Sequence, residues 1–382
     1  MGRKDGYGMI KPDVWRKPAQ APVKFAPTGG FQRELRRRID SYFSESGRRP
    51  RDCPRMYVKT AIMLAALAAT YGLLLLFAET WAAAVPLAML LGGCMAAVGF
   101  NVQHDGGHGG YSEHRWVNKL TSLSLDLLGG SSYIWARKHN TIHHSYTNLA
   151  EHDDDIDMGL LGRLSPHQRR LGFHRLQQFY MWMLYCLLPV KWHLVDDFRA
   201  VATGMIGEHR FARPKGWDLV TLIAGKVVFY SLAFGVPMLM HPVWAVLMLY
   251  GVATFMMGLI LSVVFQLAHC VEEAGFPQPQ EGTGRIQADW ASHQIETTVD
   301  FGRHNRLLSW LVGGLNFQVE HHLFPHVCHV HYPAIAPIVE QTCEEFGLQY
   351  RANPTFRAAV ASHFRWLRRM GRPENEPVRS AA

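Results

Sequence analysis

The chain predicts an all-α polytopic membrane protein, with four transmembrane helices in two hairpins and a cytosolic helical cap. Three observations lead there. Four nearly uncharged segments, over about residues 58–78, 82–102, 217–240 and 243–267, each approach the roughly 20 residues that cover a 30 Å hydrocarbon core. They come in two pairs with very short links, one at Glu79 and Thr80, the other at His241 and Pro242. The rest is polar and basic: of 382 residues 48% are hydrophobic, the net charge is +8, and a mean hydropathy near zero averages over that sharp partition.

The hairpin links contain no lysine or arginine, whereas the segment before the first span is crowded with them, Arg36, Arg37, Arg38, Arg48 and Arg49 among others. By the positive-inside rule both termini and the long middle segment are cytosolic, and only two tight tips lie outside. Residues 1–55 read as a loosely ordered, basic cytosolic arm without the apolar core of a cleavable signal. Residues 56–365 form the main domain, and residues 366–382 are expected to be a disordered tail.

Two weaker apolar stretches, 120–135 and 176–190, are interrupted by Gly129, Gly130 and Pro189. Both ends of each must lie on one side, so they are expected to be interfacial or re-entrant helices. Lys226 falls about two turns into the third span, where it is expected to snorkel to the cytosolic interface in a structural role. The six cysteines form no C-x-x-C pair, which argues against a disulfide framework, a zinc ribbon or a built-in iron–sulfur cluster.

Three histidine clusters carry the chemistry: H-D-G-G-H from His104 to His108, H-N-T-I-H-H from His139 to His144, and Q-V-E-H-H from Gln318 to His322. Neutral imidazole is the commonest ligand for first-row transition metals, and this many rings exceed what one tetrahedral zinc takes. Two metal ions sharing the set is the simpler reading. The second span delivers His104 to the cytosolic interface, with His108 one turn on and on the same face. The fourth span delivers His269 to the same depth, and the other two clusters lie in cytosolic segments. In the middle cluster His139 and His143 share a helical face, and His144 points to a neighbouring one. The third follows Gly313 and Gly314 as a helix start or tight turn offering His321 and His322, with Gln318 on the face of His321 as a direct or water-mediated ligand. His293 is a weaker candidate.

Carboxylates and amides near these rings suit a supporting role, accepting a ligating ring's free N–H: Asp105, Asp153, Asp154, Asp155, Asp157, Glu272, Glu273, Glu320, Asn140 and Asn148 are the candidates. The alternative for the acidic run Asp153–Asp157 is a solvated loop. Trp116, Trp135 and Trp290 serve either an acyl tunnel or interfacial anchoring.

A histidine-rich site of this kind differs from the Glu-x-x-His carboxylate sites of soluble bundles, and no H-E-x-x-H is present for a zinc protease. Redox iron beside lipid points instead to an unactivated methylene, from which activated oxygen must remove hydrogen. H-N-T-I-H-H-S-Y-T-N followed by D-D-D-I, then F-Q-L-A-H, then G-G-L-N-F-Q-V-E-H-H-L-F-P together resemble the membrane fatty acid desaturases, in their order and spacing and over roughly residues 30–350. The Gln-initiated third box is similar to the front-end and linoleoyl-type branch. The resemblance implies four spans, a cytosolic cap with two non-haem iron ions, and O2-dependent insertion of a double bond into a fatty acyl chain. It also implies that His104, His108, His139, His143, His144, His321 and His322 ligate iron, with His269 and Gln318 as additions.

One departure concerns electrons. Many front-end relatives carry a fused haem domain marked by His-Pro-Gly-Gly, whereas this chain has only His241-Pro242. The expected source is therefore an external donor such as a ferredoxin, a rubredoxin or a flavoprotein reductase. The acyl group is expected on a phospholipid, on CoA or on acyl carrier protein, in a multi-pass protein of a bacterial inner membrane. The basic cytosolic surface could hold anionic phospholipid headgroups or the phosphates of acyl-CoA or an acidic acyl carrier protein, whereas plain positive-inside topology explains most of the charge; no nucleic-acid partner is expected. A di-iron hydroxylase or ketolase would use the same ligands. A metal transporter or sensor would need a polar path through spans that, apart from Lys226, are nearly devoid of charge.

Overall fold

The structure is a computed structural model, and it describes residues 23–373. Among these residues four helices are long and apolar enough to cross a membrane: Pro54–Phe77, Trp81–His108, Trp217–Met238 and Val243–His269. They match the four expected spans. The second and fourth run further than the hydropathy pattern alone indicated, and the extra turns carry His104, His108 and His269. Leu76, Phe77, Trp217 and Val243 are open to the surroundings on these helices. Such apolar surface is stable against hydrocarbon and unfavourable in water.

Both hairpin tips lie together. His241 bonds the Leu75 carbonyl at 2.8 Å, and Trp81 and Trp244 pack with ring centroids 5.3 Å apart. The opposite ends of the second and fourth spans are therefore level. These two helices also approach each other closely, because a Cβ at Gly92 would run into the Ala253 carbonyl oxygen. Between the hairpins, from the tips to Met95 and Leu128, lies an apolar cavity of about 630 Å³, whose lining includes His241 at the tip and none of the clustered histidines.

The two weaker apolar stretches break into short helices, Arg115–Ser122, Ser124–Leu127 and Ser132–Trp135 in the first, Gln177–Cys186 and Leu188–Lys191 in the second. Lys226 does not snorkel. It is buried, pairs with Asp197 at 2.7 Å and donates to the Gly129 carbonyl at 2.6 Å. The Gly129–Gly130 interruption brings that acceptor to the third span, so the ammonium is neutralised where it stands.

The cap is more ordered at both ends than expected. Gly30–Ser46 is a helix whose buried stripe, Phe31, Leu35, Ile39 and Phe43, repeats every fourth residue and packs on Tyr332–Glu345 and Trp290–Thr297. Just before it, Lys24–Ala26 pairs in parallel with Arg285–Asp289. The part of the arm at residues 1–22 lies outside the described residues. The tail boundary at 366 falls inside the helix Phe356–Gly371, where Trp366, Leu367 and Met370 are buried against the core. Residues 374–382 lie outside the described residues.

The Lys226–Asp197 pair generates a stability prediction. Lys226→Ala leaves a buried carboxylate unpaired and lowers stability by about 3–5 kcal/mol. Lys226→Met with Asp197→Leu recovers most of the loss, as read from denaturant unfolding in detergent micelles.

Candidate metal centre

Each histidine cluster is placed by a specific local device. The second span reaches the first cluster through a π-helical turn at Gly99–Gln103, then continues as His104–His108. Within that wide turn Asn101 donates to the carbonyls of Ala97 at 2.7 Å and Leu311 at 2.8 Å. The loop before the third cluster is thereby tied to the second span. Gly313 and Gly314 make the turn there, with φ of 63° and 69°. A Cβ at Gly313 would strike the Phe100 carbonyl, so glycine also permits the close approach.

The middle cluster is itself π-helical over Ala136–His143. His139 and His143 stack 5.1 Å apart at 19°, which keeps them on one face as expected, and Trp135 stacks on the other side of His139 at 4.6 Å. The third cluster opens the helix Gln318–Leu323, so Gln318 stands at a helix start as expected.

All nine expected ligand positions are buried and converge. The ligand atoms of His104, His108, His139 and His321 lie within 4.8 Å of one another, as do those of His143, His269 and His322. His144 groups with His321 and His322 and so stands between the two sets. The stacked pair His139 and His143 is thus divided, one ring to each set. The Gln318 amide meets His269 Nε2 at 3.0 Å. His293 is apart from the sets, its Nε2 donating to the Thr147 carbonyl at 2.9 Å.

These rings fit metal ions. The Nε2 atoms of His104 and His139 are 3.3 Å apart, those of His139 and His144 3.3 Å, and those of His144 and His321 3.1 Å. Nitrogens about 2.1 Å from a shared ion, at roughly right or tetrahedral angles, are spaced about 3.0–3.4 Å apart. In addition, His108 Nε2, His143 Nε2, His144 Nδ1 and His322 Nε2 are buried with no hydrogen-bond partner. An orphaned buried nitrogen is unfavourable unless a cation completes it.

The opposite ring edges are held by hydrogen bonds. His143 Nδ1 donates to Asp153 at 3.0 Å, and His322 Nδ1 to the Gln294 amide oxygen at 2.8 Å. His269 Nδ1 faces the Thr297 carbonyl at 3.4 Å. Each contact leaves the Nε2 lone pair directed inward. Asp155 lies 3.6 Å from His139 Nδ1 while pairing with Lys138 at 3.1 Å. Burial would raise the Asp155 carboxyl, but Lys138, His139 and His143 hold it well below the usual range.

Several of the expected supporting residues act elsewhere. Asp105 is one position from His104, about 100° round the helix, and so faces away from the rings. It accepts from His329 Nδ1 at 2.9 Å, while His329 Nε2 meets Lys59 at 2.9 Å. Glu320 turns toward Asp300 and takes a hydrogen bond from Tyr350 at 2.9 Å. Asn140 donates to the Gly107 carbonyl at 2.7 Å, which joins the first two clusters through backbone. The sequence reading missed Gln294. No fixed spacing announces a ring's hydrogen-bond acceptor, and its neighbour His293 drew the eye as a ligand type. Trp290 donates to the His144 carbonyl at 3.0 Å, while Trp116 is exposed.

Burial, reinforced by neighbouring rings, pulls His144, His321 and His322 well below the ordinary histidine range. His139 is also lowered by burial, despite Asp155. His143 is the exception: burial acts to lower it, but the Asp153 carboxylate prevails and raises it.

The fatty acid desaturase family model matches residues 79–354. The chain is 39% identical over 361 residues to an sn-1 linoleoyl-lipid 6-desaturase of Arthrospira platensis, covering 93% of this chain and 97% of that one. It is 37% identical over 351 residues to an sn-1 linoleoyl-lipid 6-desaturase of Synechocystis sp., covering 92% and 98%. An acyl-lipid (8-3)-desaturase of Physcomitrium patens is 36% identical over 362 residues, covering 94% and 75%.

Two predictions come from the ring environments. Rings held neutral in the fold take up protons on unfolding once the pH drops below about 6.5, so they destabilise the fold there, whereas the raised His143 acts oppositely. Because the lowered rings outnumber the raised one, the metal-free protein's thermal transition falls between about pH 7.5 and about pH 5.5; a flat or rising profile would contradict this. Separately, Gln294→Leu frees the His322 ring and weakens metal affinity roughly 10–100-fold in chelator competition, with membrane insertion unchanged.

Proposed function

The chain belongs to the fatty acid desaturase family, and from that membership we propose that it desaturates an acyl chain carried on a membrane lipid, using O2, electrons from a separate donor protein and two iron ions. The observation that carries the reading is the convergence of eight buried imidazoles, with inward lone pairs, at the level ends of two apolar spans. His104, His108, His139 and His321 would hold one iron. His143, His269 and His322 would hold the other, with Gln318 beside His269 and His144 between the two. When bound, the iron pair supplies O2 activation strong enough to remove hydrogen from an unactivated methylene.

The chain's own residues prepare that chemistry. Asp153 and Gln294 accept from Nδ1 of His143 and His322, which orients both rings with Nε2 aimed inward. Trp135 flanks His104, His108 and His139, and Phe265 flanks His143 and His269 with centroids 5.1 and 4.7 Å away. These aromatic walls exclude water and so limit side reactions of a strong oxidant. Lipid-linked substrate is favoured over CoA or acyl carrier protein because the similar proteins of Arthrospira and Synechocystis are named for acyl groups on lipids. A ferredoxin, rubredoxin or flavoprotein reductase would deliver electrons from the cytosol, with both termini on that side of a bacterial inner membrane.

Expression in a host with a simple fatty acid set, followed by lipid mass spectrometry, tests this. A lipid-esterified product lighter by two hydrogens is expected, and it is absent with His322→Ala although the variant reaches the membrane at the same level. A product heavier by one oxygen, or no change in the lipids, would contradict desaturation.

A further inference from the structure

Two segments far apart in sequence build a second feature, away from the metal centre. Residues 158–195 and 346–373 contain no Asp or Glu, yet together they carry eleven Lys and Arg. They pack firmly on each other. Trp366 donates to the Leu164 carbonyl at 2.8 Å, Gln177 to the Leu367 carbonyl at 2.8 Å, and Tyr185 meets His363 at 2.9 Å. Between them is a groove of about 420 Å³ lined by Arg175, Gln178, Phe179, Phe364, Arg368 and Arg372.

The depth of this groove is set by its neighbours. Gln177–Cys186 packs on the fourth span, and His363 bonds the Cys270 carbonyl, one residue beyond His269. The groove therefore sits at the end of the spans where the histidines are. Leu176, Phe179, Met183 and Leu187 are exposed in a single stripe at spacings of three and four residues. An apolar stripe bordered by arginines is the pattern of a helix lying in a membrane interface.

The charges are available for a ligand. Arg365 is engaged by Glu272, and Arg369 lies over the Trp366 ring at 5.8 Å. Arg175 and Arg368 are exposed and form no ion pair with a carboxylate among the described residues. Guanidinium forks match phosphate oxygens in pairs, whereas Phe179 and Phe364, with rings 5.7 Å apart, offer an apolar wall for the attached chains.

We propose that this groove binds the phosphate headgroup of an anionic phospholipid of the surrounding leaflet, with its acyl chains lying along the exposed stripe of Gln177–Cys186. Solvation of excess positive charge explains exposed arginines in general. It does not explain a groove that joins two segments, lined by no carboxylate among the described residues and with an apolar wall, at the bilayer edge. The occupant is a lipid rather than an acidic protein because the apolar stripe continues directly from the charged rim. This inference rests on the four helices being spans and is independent of the reaction catalysed.

Native mass spectrometry of the full purified chain tests it, with dioleoyl phosphatidylglycerol and dioleoyl phosphatidylcholine as probes. The acyl chains are identical, so only headgroup charge differs. Preferential retention of phosphatidylglycerol is expected, reduced about thirtyfold by Arg175→Gln with Arg368→Gln and reduced less by the corresponding lysine pair, which keeps the charge without the fork. Equal retention of both lipids, or a preference unchanged in the glutamine pair, overturns the proposal. So does an acidic protein or inorganic phosphate that binds these arginines where phosphatidylglycerol does not. Because lipid retention is read without turnover, an inactive enzyme that keeps this selectivity would count only against the desaturase reading.

Discussion

Along the chain His104, His139, His144 and His321, each Nε2 faces the next at hydrogen-bond distance in a buried site. A neutral ring nitrogen either donates one proton or offers one lone pair. His139 and His144 each face two others, so ordinary linear hydrogen bonds cannot satisfy the whole chain, and protonating the rings would set like charges side by side. A cation that accepts every lone pair removes the conflict. The surrounding structure is built around that requirement, since these four rings come from three separate segments and none could be moved far without breaking the set.

Bringing them together requires the hairpins to point the same way. The tip contacts at His241 and Trp81 keep the two hairpins side by side, and the Gly92 approach locks the second span to the fourth. With the spans level, His104, His108 and His269 arrive at one depth without further adjustment. The other rings depend on the cap: Asn101 fastens the loop before Gln318, Asn140 fastens the middle cluster to the first, and Asp105 reaches His329 beyond the third. Residues adjacent to ligands thus hold the scaffold, while Asp153 and Gln294, further along the chain, orient the rings.

Much of this was legible in the sequence because membrane crossing and metal binding both leave strong local patterns. Uncharged length marks the four spans, and i, i+4 histidines mark helical faces. His269 was legible because its depth followed from the span that ends on it. Less visible was anything decided by long-range contact. Asp105 and Glu320 have the right chemistry and lie beside ligands, but one step along a helix turns a side chain about 100° away. Gln294 carries no spacing relation to His322, and the partner of Lys226 lies some thirty residues away in a separate helix. The order in the arm was hidden for a related reason: the stripe Phe31, Leu35, Ile39 and Phe43 is embedded among arginines, so its average composition resembled a solvated segment although its period was helical.

X-ray absorption at the iron edge, together with metal analysis, decides whether one buried histidine cluster holds a pair of iron ions. The protein should be purified under reducing conditions without chelators. Two irons per chain are expected, surrounded mainly by imidazole nitrogen at about 2.1 Å and free of sulfur neighbours. A single iron per chain, a sulfur-rich shell, or zinc filling the site in place of iron would contradict this.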